Sequence, residues 1–295
     1  MSLAEIVPLV LKLSIVTLVF TIGLGTEPRE LTDLLRRPAQ LLRSLAAMSL
    51  VMPIVAVVLV KLFTLSPPVE VMLVCLSLSP IPPILPKKMV KAGGGHAYVM
   101  ALLCTASLFA IVWAPLAGLL LDKIFAAQIT IPAVPVAELV GMTVLGPVIA
   151  GIVVRAAVPK LAERAAGPLS TVATVLLLLF LVLLLVKLGP AILSLIGHGT
   201  LFAIVAFLVV GLAVGHLLGG PKEGDRTVLA LATASRHPGV ALSLAGIVFP
   251  AERAVAPAIL LYLLVGLVVT LPYVSWRRKS LVEPYAPIAH PTPVA

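Results

Sequence analysis

Residues 233–246 read TASRHPGVALSLAG, and the fold turns on them. They lie in a long apolar run, yet they include Arg236 and His237, followed by Pro238 and Gly239. Proline has no N–H to donate and its ring clashes with the preceding turn. A helix entering at Arg226 should therefore break near His237 and restart beyond it. A break at bilayer depth exposes backbone polar groups, which is tolerated only against protein or a watery cavity. Ionisable groups at that depth are costly and mark a pathway. Residues 77–95, SLSPIPPILPKKMVKAGGG, have the same grammar: Pro80, Pro82, Pro83 and Pro86 precede Lys87, Lys88 and Lys91. Two proline-interrupted apolar segments in separate halves of one membrane protein predict a carrier site built from discontinuous helices.

Composition supports a membrane setting. The 295 residues are 61% hydrophobic and 11% charged, with a mean hydropathy of +1.19. A soluble domain is about 25% charged. The chain is therefore expected to be all-α and polytopic, a single transmembrane domain over 1–295 with spans of about 20 residues. No cleavable leader is expected, because the apolar residues 4–25 lack a basic start. Cys75 and Cys104 fall in apolar segments and read as small buried hydrophobes rather than a disulfide. A P-loop and an H-E-x-x-H pair are both absent from the sequence, which argues against an ATP-driven pump and a zinc protease. Paired intramembrane carboxylates are absent too, and that disfavours an aspartyl protease or a carboxylate-based proton antiporter. No enzyme activity, metal or cofactor is expected.

Nine apolar segments are expected, at about 4–25, 40–64, 69–92, 96–122, 134–157, 168–187, 198–219, 226–249 and 252–275, with the third and eighth broken. An odd number puts the ends on opposite sides. Twelve cations (Arg29, Arg36, Arg37, Arg43, Arg155, Lys160, Arg164, Lys222, Arg226, Arg277, Arg278, Lys279) fall on one side. Four (Lys61, Lys123, Lys187, Arg253) fall on the other. This bias predicts an N-terminus outside and a C-terminus in the cytoplasm of an inner or plasma membrane. It also explains the net charge of +9 without a nucleic-acid partner. Segments five to nine form a unit whose fourth helix is broken. Segments one to four fit the same plan with its first helix missing and opposite polarity, the pattern of an inverted repeat.

The stretches GLGTEPRELTDLLRRPAQLLR (23–43), MPIVAVVLVKLF (52–63), SPIPPILPKKMVKAGGGHA (79–97) and RTVLALATASRHPGVALSLAGIVFP (226–250) carry a further signal. Through them the chain resembles the bile acid:sodium symporter family, carriers of organic anions, over about residues 15–275. The resemblance implies a panel, about 4–25 and 134–187, beside a core, about 40–122 and 198–275, in which the broken segments cross at the membrane centre. It also exposes departures. The family's Gly-Gly-Thr-x-Ser-Asn run at the first crossing falls on Ile81, Pro82, Pro83, Ile84, Leu85 and Pro86. Its later hydroxyl ligands fall on Val99 and Leu103, and its Gln on Met48. Its Glu-x-x-x-Gln-Asn falls on Ala232 to His237. Sodium wants oxygen ligands. A guanidinium a few ångströms away would repel it by about 4 kcal/mol at an effective dielectric near 20. Sodium coupling at the family sites is therefore not expected.

Eight candidate site residues follow. Arg236 either holds the charge of an organic anion, standing in for a missing sodium, or caps carbonyls freed at the break. His237 either passes a proton or serves the same capping role. Lys87, Lys88 and Lys91 either attract the anion or replace sodium's charge, or snorkel to lipid phosphates, the reading favoured for Lys91. Thr233 and Ser235 can donate to a carboxylate or bond back to their own helix. Pro238 and Gly239 open a half-helix whose N-terminus adds positive dipole. Lys12 lines the panel or snorkels outward. His96 and Tyr98 mark the membrane interface, and Met48 and Met100 serve packing. The expected function is alternating-access transport of a small organic anion, coupled to protons or uncoupled. The alternatives are a receptor that kept the carrier scaffold, and a sodium symporter with other ligands. The lipid bilayer is the only other partner expected.

Overall fold

The computed structural model describes residues 3–125 and 131–282. Residues 1–2, 126–130 and those beyond 282, where the expected cytoplasmic C-terminus falls, lie outside the described residues. Among those described, every regular element is helical. Besides a short 3-10 turn at Pro28–Thr32, these are in chain order α1 (Leu3–Leu24), α2 (Pro38–Leu62), α3 (Pro67–Leu78), α4 (Leu85–Lys91), α5 (His96–Phe125) and α6 (Ala133–Ala157). Then come α7 (Pro159–Ser194), α8 (Thr200–Leu218), α9 (Glu223–Ala234), α10 (Pro238–Val248) and α11 (Val255–Val282). Six of them, α2, α5, α6, α7, α8 and α11, are long and apolar enough to cross a bilayer. Shorter apolar helices cover Leu9–Leu24 and Pro67–Leu78. The fold is that of an all-α polytopic membrane protein.

The two expected interruptions are present. α3 stops at Leu78 and α4 starts at Leu85. α9 stops at Ala234 and α10 starts at Pro238. A helix of 12 residues rises about 18 Å, too short alone for a hydrocarbon core of about 30 Å. The four pieces pack crosswise: α3 lies on α10, and α4 on α9. The two breaks therefore meet.

Glycines set the closest approaches. On α8, Gly211, Gly215 and Gly219 face α9. A Cβ on Gly215 would stand 2.5 Å from both the Ala230 Cα and the Leu229 carbonyl oxygen. Backbone thus meets backbone, the small-residue packing that membrane helices use where burial supplies no driving force. Gly23 of α1 and Gly151 of α6 do the same for a second group, α1, α6 and α7, which pack on one another. Arg155 of α6 donates to the Leu24 carbonyl at 3.0 Å and so caps the end of α1.

α7 departs from expectation. The sequence predicts a helix of 168–187, set off by punctuation at Pro159, Lys160, Glu163 and Arg164. Instead one helix of 36 residues starts at Pro159 and runs through Pro168 and Pro190. Proline at the first helical position is favourable, because its missing N–H is an orphan there anyway. Each interior proline removes one hydrogen bond, but unwinding against lipid would expose many backbone groups. Only 11% of the most apolar window of α7 is buried, so lipid is what that helix faces.

Candidate functional site

The site is built on orphaned carbonyls. In an α-helix the Ser79 carbonyl would accept from residue 83, which is proline and has no N–H. The chain leaves the helix at Ser79 in an extended conformation. Its carbonyl then accepts from Arg236 Nη1 at 3.2 Å, and the Pro80 carbonyl accepts from the His237 N–H at 2.9 Å. The second break thus supplies donors to acceptors that the first has set free. Arg236 Nη2 donates to a further carbonyl, that of Met48 in α2.

Across the second break Tyr262 of α11 acts as a bridge. Its hydroxyl accepts from the Arg236 N–H at 3.1 Å and donates to the Ala234 carbonyl at 2.6 Å. His237 is the N-cap of α10, where its Nδ1 accepts from the Val240 N–H at 3.3 Å. In the neutral ring this places the proton on Nε2, which is then a donor.

Three side-chain atoms at this break are buried without a hydrogen-bond partner: Thr233 Oγ1, Arg236 Nε and His237 Nε2. Each has a proton to give. Arg236 and His237 are each 2% exposed, so bulk solvent does not reach either. Buried polar groups are normally satisfied, and a set of three exceptions calls for an explanation. Among the described residues no group of three or more His, Cys, Asp and Glu comes together as a metal site.

The other candidates lie apart from these donors. Ser235 is partly buried, and its N–H closes the last turn of α9 onto the Leu231 carbonyl at 3.0 Å. Pro238 and Gly239, both partly buried, open α10. Lys87 is exposed. Lys88 donates to Thr270 of α11 at 2.7 Å, away from Arg236. Lys12 is exposed on α1, in line with an outward-facing role. At the first crossing and the helices beside it, the positions that the resemblance assigns to sodium ligands are apolar and mostly buried, with Ile81, Val99 and Leu103 at 0% exposure; at the second crossing they include the cationic Arg236 and His237.

Sequence reasoning missed a polar cluster at the start of α9. Tyr98 was expected at the membrane interface; it is 2% exposed, because Gln40 and Ser44 give its hydroxyl partners at 3.0 and 2.8 Å. The Arg37 guanidinium lies 5.0 Å above the Tyr98 ring, pairs with Asp225 at 2.6 Å and also holds Asp33. Two cavities, of about 240 and 280 Å³, flank the Arg37–Asp225 pair. Nearby, Arg277 of α11 donates to Glu223 at 2.6 Å and to Thr227 at 2.8 Å, tying α11 to the first turns of α9. The cations and acids were visible in the sequence, but their pairing across 188 positions was not.

Residues 12–195 match the Sodium Bile acid symporter family. The match covers well over half of the chain, which therefore belongs to that family. It includes the first interruption and ends before the second. No curated protein matches the chain. Family membership makes this an integral membrane transporter of a small molecule rather than an enzyme.

Proposed function

We propose that the protein is a secondary transporter of a small organic anion, working by alternating access and independently of sodium at the family's sites. The carrying observation is the set of unpaired buried donors, Arg236 Nε, His237 Nε2 and Thr233 Oγ1. A sodium ion needs lone pairs, whereas Arg236 Nε and, in the tautomer above, His237 Nε2 offer only protons; of the three, the Thr233 hydroxyl alone also has lone pairs. A carboxylate or sulfonate offers the acceptors they lack and a charge opposite to the guanidinium. Arg suits this role because it stays charged and presents several donors in a fixed fork.

The occluded junction fits a carrier between its two open states. The Arg37–Asp225 pair is a candidate closure on one side, since it joins the loop before α2 to α9 with cavities on either flank. The group α1, α6 and α7 would rock as a panel against the crossing helices. His237 would either pass a proton with the anion or serve only as a donor.

A thermal-shift screen of the purified protein against carboxylates and sulfonates, with and without sodium and across pH, finds the ligand. Uptake of that anion into proteoliposomes then separates a carrier from a receptor. Transport without sodium that is lost in Arg236→Met is the expected outcome. Uptake that follows an imposed sodium gradient would overturn the coupling assignment.

A further inference from the structure

Arg236 holds two carbonyls, and both owe their availability to proline. The second case, Met48, is the more informative. Residues 46–51 of α2 form a π turn, in which each carbonyl bonds to the N–H five residues on. For Met48 that residue is Pro53, which has no N–H. Had α2 stayed α-helical there, residue 52 would serve Met48, and Pro53 would instead orphan Ser49. The π turn thus moves the unpaired carbonyl along the helix by one residue, to the one that meets Arg236.

α6 repeats the device without the guanidinium. Residues 141–145 form a π turn, and the residue five beyond Met142 is Pro147. The Gly146 N–H bonds back to the Gly141 carbonyl, which confirms the register. Met142 is 62% exposed, whereas Met48 is 1% exposed. The two turns share the spacing Met-x4-Pro and differ in what meets the freed carbonyl.

We infer that Pro53 is a positioning residue: with the π turn at 46–51 it presents the Met48 carbonyl to Arg236, which fixes Nη2 and leaves the Nε edge of the guanidinium for a ligand. Ser79, freed beside Pro83, fixes Nη1 in the same way. Charge-assisted hydrogen bonds to carbonyls orient a buried cation without neutralising it, as an acid would. The functional purpose of this rests on reading Arg236 as the anion's partner; the geometry itself does not.

The test needs no substrate. Pro53→Ala gives residue 53 an N–H, so in either helical register Met48 acquires a backbone donor that competes with Arg236 for its carbonyl and weakens that bond. Phenylglyoxal labelling, followed arginine by arginine by peptide mass spectrometry, should speed up at Arg236 about tenfold, the worth of one hydrogen bond to a charged group. Pro147→Ala, which repairs the matched turn on α6, should leave Arg236 unchanged. The buried Arg277 should stay unchanged in both variants. Wild-type labelling of Arg236 in Pro53→Ala overturns the inference. An equal rise in Pro147→Ala or at Arg277 also overturns it, because that would mean general loosening.

Should Pro53→Ala not fold, infrared spectra of protein labelled with carbonyl-¹³C methionine provide the second readout. Arg236→Leu should move one ¹³C=O band to higher frequency, and identical spectra would contradict the assignment. If Arg236→Met proteoliposomes still take up the anion while these spectra differ, the transport reading fails and the positioning role survives.

Discussion

The two interruptions look alike in sequence and differ in chemistry. Residues 79–84, SPIPPI, contribute hydrogen-bond acceptors: with three prolines, the backbone has carbonyls to spare. Residues 235–237, SRH, contribute donors, from both the backbone and the Arg236 side chain. Each break satisfies part of what the other leaves open, which explains how irregular backbone persists in a bilayer. The cations differ as well. Arg236 is buried at the junction, whereas Lys87 is exposed and Lys88 reaches sideways to Thr270. A basic residue beside a break is therefore not by that fact a site residue; it must be held among groups that aim it inward.

The comparison can be broken most severely at the packing that seats the second break. Gly215→Val places branched carbons where even a Cβ would be 2.5 Å from the α9 backbone. We expect no folded protein by size-exclusion chromatography in detergent; a monodisperse, stable variant would show that α9 is not held as described. Next is Arg236→Met. Transport should fall to background in protein that still runs monodisperse, with a lowered thermal midpoint, since the exchange relieves the charge's desolvation cost but leaves the Ser79 and Met48 carbonyls without their donor, about 1–3 kcal/mol each. The matching change at the first break, Lys87→Ala, should leave transport within about twofold, as for an exposed surface residue.

His237 sharpens the comparison further. Asn is a good N-cap and can replace the acceptor that Nδ1 offers to Val240, so His237→Asn should keep the thermal midpoint while slowing uptake through loss of the Nε2 donor. His237→Ala should lose both, with a stability cost of about 1 kcal/mol. Equal transport in wild type and His237→Asn would confine His237 to capping. Lys88→Ala should remove one hydrogen bond between α4 and α11, about 1 kcal/mol of stability, with no change in sodium dependence.

Much of this fold is legible in the sequence because the bilayer enforces simple rules. Apolar runs bounded by Gly, Pro and charge place the helices, and Pro238 places the second break to within about three residues of His237. The same rules misjudge α7, because Pro159, Lys160, Glu163 and Arg164 read as punctuation when they form the first turns of one long helix. Candidate residues at the break could be named from their type alone. Their partners could not, since Met48, Ser79 and Tyr262 approach Arg236 only through folding, and two of them act through backbone carbonyls that no side chain advertises. The nearest advance sign is Pro53, five residues beyond Met48. Tyr98 was misplaced for the same reason: its burial depends on Gln40 and Ser44, 58 and 54 positions away.

The most direct measurement is the initial rate of anion uptake into proteoliposomes with choline replacing every sodium ion, wild type beside Arg236→Met. The account predicts full wild-type uptake without sodium and none from the variant. Uptake that appears only when sodium is restored, or that persists without the guanidinium, would contradict it.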